Sequence, residues 1–535
     1  MKMKPTASHF GPHHSSQPLA LPTRRFVLSG AAGAGLVAGG VGLWGAAQAH
    51  AATPKRGGHY RVGIHEGNSS DSLDPRLTNG VCMIQLNHTI RNYLTEIAAD
   101  NTVVPELAES WDVSDDATTW VFNIRRAVEF HNGKTLTARD VVDSLKYHLQ
   151  EGSQSPGKPL LDGVVSIAED GENRVRIVLS EGNADLPYIL TDYHFVILPS
   201  DGGGGLDTSG VGTGPYVLKS FKPGQSMEME RNPNYFKSDR AHFDAVTFLV
   251  LNDSNARTSA LLTGEIDVDS QVDAKTLGFL QRDKRVVVDN VPSGAHCTIP
   301  MHVTQAPFDD PDVRLALKYA IDRQDIVDKV MGGAAALGND HPIGPSMPYY
   351  TDIEQRSYDP DKARFHLKKA GRQDLSITLA ASDAAFPGAL DMATLFQASA
   401  KAAGIDITLA RKPADGYWSE VWLKEPFCVA SWGARPTPHV MFSLGYKGGS
   451  EWNESKWDNP TFNTLLGQAK SELDDQKRGA LYAEMMGLCR DDGGTIVPFF
   501  TNRVSTRGKH VQHPEQISGN WQLDGARSAE RWWFA

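Results

Sequence analysis

From Thr119 to Arg125 the chain reads Thr-Trp-Val-Phe-Asn-Ile-Arg, β-branched and aromatic residues at the two-residue period of a strand that buries at least one face. His131-Asn132-Gly133-Lys134 follows, and its Asn-Gly pair predicts a type I′ reversal, in which both central residues need positive φ. Thr137 then stands as an N-cap with Asp140 three residues on, ahead of Val141, Val142, Leu145 and Leu149 at helical spacing. Residues 104–147 therefore predict a hairpin feeding a helix.

The same patterns continue along the chain. A short strand is expected near residues 55–63, a helix at 81–97, and a hairpin from the alternating runs 164–168 and 174–179. Gly202 to Gly205 is a linker that cannot form a core. Gly210-x-Gly212-x-Gly214 has the look of a phosphate loop, but it leads into Pro215-Tyr216-Val217-Leu218 and so into a strand, where a dinucleotide fingerprint must open a helix. Residues 248–251, 254–263 and 264–268 read as strand, helix and strand, an arrangement that suits a parallel sheet covered by helices. A helix begins at Asp310 or Pro311, another spans 390–403 and leads into a strand at 405–409, and a helix at 481–488 precedes a strand at 495–500. No repeat with a period of 20–50 residues is visible.

A length of 535 residues exceeds one compact core and predicts two to four domains. Hydrophobic residues make up 40% and charged residues 22%, as in an ordinary water-soluble protein. The net charge is −11, and the first 49 residues carry four bases and no acid, so the body of the protein is more acidic still. Nucleic acid and anionic membrane, which bind through clustered Lys and Arg, are disfavoured as partners. Arg24-Arg25 followed by a Gly- and Ala-rich apolar run to Ala47 reads as a twin-arginine export leader over 1–51, cleaved after Ala49 or Ala51. Seven glycines between Gly30 and Gly45 make that run a poor membrane helix. Cys82, Cys297, Cys428 and Cys489 would meet an oxidising compartment after export, which leaves both disulfide pairing and buried free thiols open.

The motifs H-E-x-x-H, G-x-S-x-G and G-x-x-x-x-G-K-[ST] are absent from the sequence, which argues against a hydrolase or nucleotide-binding enzyme. His296-Cys297 with His302 has mixed faces on a strand and reads as packing rather than a metal site.

Pro105, Leu107, Ala108, Ser110, Trp111, Asp116, Trp120, Phe122, Arg125, Phe130, His131, Gly133, Thr137, Ala138, Asp140 and Val141 form a dense pattern. It resembles the family 5 extracytoplasmic solute-binding proteins of ABC importers, the branch with dipeptide, oligopeptide and nickel receptors. Ala127 stands where that family usually has Gly, and Asn132 where it has Asp. Further blocks resemble the same family: Leu73-Asp74-Pro75, Gly212-Thr213-Gly214-Pro215-Tyr216, Gly264-Glu265-Ile266-Asp267, the segment 307–323 and Tyr358-Asp359-Pro360.

The resemblance implies an α/β, bilobal periplasmic-binding-protein fold with two hinge crossings, near 296–303 and 497–503, and an extra subdomain in lobe 1. The expected division places lobe 1 at 52–95 and 206–298, the extra subdomain at 96–205, lobe 2 at 299–498 and a C-terminal return to lobe 1 at 499–535. It further implies a periplasmic monomer without enzymatic activity, cofactor or resident metal, which takes a small-molecule or short-peptide ligand to a membrane permease and its ATPase. A periplasmic hydrolase and a metal or haem receptor of the same fold are the alternatives.

Specificity is expected around Trp432-Gly433-Ala434-Arg435-Pro436. In the peptide-binding relatives an aromatic at the place of Trp432 lines the pocket, and an Asp at the place of Arg435 holds the peptide's α-ammonium. Arg435 reverses that charge and offers a planar fork suited to carboxylate, phosphate or sulfonate oxygens, unless it turns to solvent or pairs with a neighbouring acid. Asn79, Tyr417, Trp418, Trp452 and Asn453 are further candidates for the same cleft.

Overall fold

The structure is a computed structural model that describes residues 54–535. The twin-arginine leader expected at 1–51 lies outside the described residues. No described helix is long and apolar enough to cross a membrane.

Two long antiparallel strands, Val286–Pro300 and Phe499–Gly508, organise the rest. They pair from Val286 opposite Gly508 to His296 opposite Phe500, with an irregularity between Pro292 and His296. On the first-lobe side the sheet continues through Val268–Asp269, His59–Ile64, Ala245–Val250, Ser226–Arg231 and Tyr216–Lys222, and on the second-lobe side it adds Ala430–Trp432. The expected crossings fall on this pair, and the molecule is a bilobal α/β protein.

In the first lobe His59–Ile64 runs parallel to both Ala245–Val250 and Val268–Asp269. Helix Ser254–Thr263 carries the chain from Ala245–Val250 past His59–Ile64 to Val268–Asp269 on its other side, the crossover that parallel strands need. Asp253 caps that helix by accepting from the Ala256 amide at 2.8 Å, and Gly264 ends it with φ 78°. The second lobe repeats the logic: Ser376–Ala381 and Asp406–Arg411 are parallel neighbours joined through helix Ala389–Ala402.

Residues Ala108–Val113, Thr119–Ile124, Arg174–Leu179 and Val164–Glu169 form a separate four-stranded antiparallel sheet. Trp120, Phe122 and Ile124 point inward and pack with Val141, Val142 and Leu145 of helix Ala138–Leu149, while Thr119, Val121 and Asn123 stay half-exposed. Thr137 and Asp140 close the predicted capping box.

The turn before that helix differs from the type I′ expectation. Gly133 has φ 83°, whereas Asn132 keeps a negative φ; the Gly133 amide donates to the Phe130 carbonyl, and the Phe130 amide to the Lys134 carbonyl, both at 2.8 Å. A three-residue loop needs one left-handed residue, so the glycine alone carries the strain. Ala127, where the family resemblance expected Gly, also adopts φ 57°. The turn docks on Gly212 and Gly214 through the His131 ring, 3.0 Å from the Gly214 carbonyl oxygen. A Cβ on Gly212 would lie 2.2 Å from the Ile90 oxygen, so the glycine triplet exists for close backbone approach.

Two helix bounds differ from the periodicity. The helix expected at 81–97 is Gly80–Ile90, because Arg91 turns extended and its buried guanidinium donates to Asn87 Oδ1 and the Leu73 carbonyl, each at 2.8 Å. The one expected at 481–488 runs Asp475–Asp491, started by Asp474 accepting from the Gln476 and Lys477 amides.

Buried charge fixes the C-terminal return. Lys237 lies 3.0 Å from Glu106 and from Glu530, Arg527 lies 2.9 Å from Glu106, and Arg531 lies 2.6 Å from Glu96. The three carboxylates come within 4.8 Å of one another, a spacing that could hold a metal ion, but the ammonium and two guanidinium groups already neutralise them. Burial acts to raise the Glu530 carboxyl, yet Lys237 and Arg527 outweigh it and hold it at about 2. All four cysteines are buried and free.

Candidate ligand cleft between the lobes

Strand Ala430–Trp432 is held by register against the hinge strand, with Trp432 opposite His296, and it stops at Gly433. The chain then crosses Ala434, Arg435 and Pro436 to Thr437, which caps helix Pro438–Gly445. A paired strand on one side and a capped helix on the other leave this short loop little freedom.

Arg435 places its guanidinium 5.6 Å from the centre of the Trp432 ring. Its Nη1 lies 3.3 Å from the carbonyl oxygens of Gly433 and Ala434, at the long end of the hydrogen-bond range. Among the described residues no carboxylate pairs with it. Burial lowers its pKa from the usual arginine value. The guanidinium lines a narrow crevice of about 20 Å³ shared by Gly294 of the hinge strand, Met347 and Pro436 of the second lobe, and Asn101 and Asn520 of the first.

Trp432 is 6% exposed and sits edge-on to Trp422 and tilted against Trp452, at 6.4 and 6.0 Å between ring centres. Trp418 adjoins Trp422 at 5.7 Å. Trp418 and Trp452 are 42% and 43% exposed, so the cluster has an open aromatic side and a closed side. Beneath it the buried Glu454 accepts from Trp422 Nε1 at 2.6 Å, and burial raises its pKa. The sequence reading missed Trp422, although its i+4 spacing from Trp418 was visible.

The structure thus brings Trp432, Arg435, Trp418 and Trp452 into one neighbourhood. Tyr417 is buried in the second-lobe core and donates its hydroxyl to the Val429 carbonyl at 2.7 Å. Asn453 is also buried, and its amide donates to the carbonyls of Trp457 and Lys447 at 2.7 and 3.1 Å, which staples its own loop. Asn79 is exposed in the first lobe at the N-cap of helix Gly80–Ile90, with no capping hydrogen bond from its side chain. His296 is buried with Nδ1 3.0 Å from the Gly294 oxygen, and the Cys297 thiol lies 3.9 Å from the Met392 sulfur.

The loop also touches the extra subdomain. The Asp185 carboxylate accepts from Arg478 at 2.5 Å and from the Thr437 hydroxyl, with both charged side chains almost wholly buried. Arg478 stacks 4.7 Å from the Tyr349 ring.

The family described as bacterial extracellular solute-binding proteins, family 5 Middle, matches residues 102–454, well over half of the chain. The chain belongs to that family. Family 5 solute-binding proteins serve ABC importers of peptides, nickel and haem, and the relatives of this chain are binding proteins rather than enzymes. Di/tripeptide-binding protein 1 of Pseudomonas aeruginosa is 26% identical over 521 residues, covering 88% of this chain and 94% of that protein. The structure of HbpA2 from Haemophilus parasuis superposes with a TM-score of 0.77 at 21% identity, over 87% of this chain and 99% of that one. That of AgaA in complex with agropinic acid, from A. tumefaciens R10, gives 0.68 at 21%, over 89% and 99%.

Proposed function

We propose that this family 5 protein is the periplasmic receptor of an ABC importer, and that it captures between its lobes a solute that presents an anionic or oxygen-rich group to Arg435. The observation that carries the reading is a half-buried guanidinium at the interlobe crevice that has no carboxylate partner among the described residues. A guanidinium partly withdrawn from water without a counter-ion is left under-solvated, which a ligand anion offsets. The sign of the charge disfavours capture of a peptide α-ammonium at this point. A di- or tripeptide remains compatible if its carboxylate end faces Arg435, and the likeness to the Pseudomonas di/tripeptide-binding protein favours keeping that second reading.

Ligand capture and lobe closure are coupled through one loop. Thr437, two residues beyond Arg435, bonds to Asp185 of the extra subdomain, so a ligand seated on Arg435 steadies the segment that joins the lobes. The closed form then presents both lobes to the permease and its ATPase. The shift toward closure is limited by the ligand's differential affinity for the closed form. The twin-arginine leader delivers the protein, as a monomer, to the periplasm, and no cofactor takes part.

The test is native mass spectrometry of the purified protein, followed by denaturation and identification of what is released. An acid or oxygen-rich solute is expected. Arg435→Ala is expected to weaken its binding at least tenfold, and Trp432→Ala more than a neighbouring surface change. Unchanged affinity in Arg435→Ala would return that side chain to a solvent-facing role.

A further inference from the structure

A second guanidinium lines a neighbouring cavity and, among the described residues, is also unpaired. Arg503 belongs to the hinge strand Phe499–Gly508, opposite Val291. Its Nε is buried without a partner, and among the described residues its guanidinium makes no hydrogen bond or ion pair. Glu66 is the acid whose charge it feels, but the Glu66 carboxylate is turned to the Val81 amide at 2.9 Å. Arg503 lines a cavity of about 230 Å³ with Gln271, Asn502 and Gln522, whose walls also include Met331 and Ala334 of the second lobe. Gln522 Oε1 and Asn502 Oδ1 are likewise buried and unpartnered. Buried polar atoms are ordinarily satisfied, and of these groups the Arg503 guanidinium is the donor, so an arginine without a partner at the wall of a cavity marks a place for an acceptor group of a ligand.

This cavity and the Arg435 crevice are neighbours. Asn520 lines the crevice and Gln522 the cavity, and the segment that carries both lies directly on the hinge strand: a Cβ on Gly519 would fall 1.8 Å from the Pro292 carbonyl oxygen. Gly294, across the same irregularity in that strand, completes the crevice. The cavity also sits by Gln271, just past the end of Val268–Asp269, the side of an open α/β sheet on which ligands bind.

We infer that Arg503 forms a second anion subsite, and that the ligand is a solute with two acidic groups, one on Arg435 and one on Arg503. The inference deepens the proposed function and rests on it. Arg435 takes the first acid, the arginine fork in the larger cavity takes the second in a planar, two-bond arrangement, and the ligand backbone passes over Gly294.

The experiment uses straight-chain dicarboxylates from succinate to adipate as probes, with butyrate as the single-acid control, read by thermal shift and calorimetry. Wild-type protein is expected to bind at least one dicarboxylate more than tenfold tighter than butyrate. Arg503→Gln should remove that advantage, bringing dicarboxylate affinity down to that of butyrate. Arg503→Met adds a readout that a structural role would not give, since deleting an unpaired buried charge should raise the melting midpoint of the ligand-free protein while dicarboxylate binding is lost. Dicarboxylate affinity unchanged in Arg503→Gln, a lowered ligand-free midpoint in Arg503→Met, or no dicarboxylate response in wild type each overturns the second subsite. If Arg435→Gln loses binding while Arg503→Gln does not, the proposed function stands and only this inference fails. If native mass spectrometry releases a neutral, oxygen-rich solute, this inference fails and the proposed function stands; a solute with neither an acidic nor an oxygen-rich group sinks both.

Discussion

Asp185→Ala tests the link between lobe closure and ligand affinity. Asp185 and Arg478 are each almost fully buried, and among the described residues no other carboxylate pairs with that guanidinium, while Thr437 sits on the other oxygen of Asp185. Removing one partner of a buried ion pair costs about 3–5 kcal/mol, because the other charge is left without compensation. The Tyr349 ring 4.7 Å from Arg478 offsets only about 1 kcal/mol of that. The cost falls on the closed arrangement, since Arg478 regains water when the subdomain and second lobe separate. At about 1.4 kcal/mol per factor of ten, the closed state loses roughly two orders of magnitude in population, and ligand affinity falls with it. Calorimetry with the ligand released from wild type should show this loss, and small-angle scattering of the ligand-free variant should show a larger radius of gyration. Asp185→Ala/Arg478→Met should recover part of the affinity, because the orphan charge is gone. A dissociation constant within twofold of wild type, with unchanged scattering, would refute the coupling of this pair to closure.

Other consequences can be checked independently. Ala127→Gly relieves a left-handed alanine that costs about 1–2 kcal/mol and should stabilise the protein by about 0.5–1 kcal/mol after the entropy of the added glycine, measured by urea denaturation. Tyr417→Phe should cost about 1–2 kcal/mol through the stranded Val429 carbonyl yet leave ligand affinity unchanged; a large affinity loss would put Tyr417 in the cleft after all. Burial holds the imidazoles of His65, His148, His296 and His341 at about 4 and that of His88 at about 3, below the unfolded value of about 6.5. The unfolded chain therefore binds more protons below pH 6.5, stability should fall as pH drops from about 6.5 to 4, and a urea midpoint that is flat over that window would contradict the burial of these rings.

Much of the family's scaffold was legible in the chain because it is written in local rules. The alternation around Trp120 and Phe122, the capping pair Thr137 and Asp140, and the helix Ser254–Thr263 depend on neighbours a few residues away, and each appears where the pattern put it. The Arg435 anomaly was legible too, since it rests on one residue type at one place in a recognisable segment. Where the sequence reading departed from the structure, a distant partner decided. Arg91 ends its helix early by bonding to Leu73, and Tyr417 turns inward to Val429 although its neighbour Trp418 faces out.

By itself, then, the sequence determined the family and the parallel βαβ units, and it offered Arg435 as a place where the ligand's charge would be read. The tertiary structure alone decided that Arg435 lacks a counter-ion, that Trp422 joins Trp432, Trp418 and Trp452, that Asp185 reaches Arg478, and that Arg503 faces a cavity with Gln522. Whether a charge is paired depends on which groups the folded chain brings within a few ångströms, and here those groups are separated by up to several hundred residues. Hydrophobic periodicity carries no information at that range, so the elements could be read from the chain and the cleft could be read only from the fold.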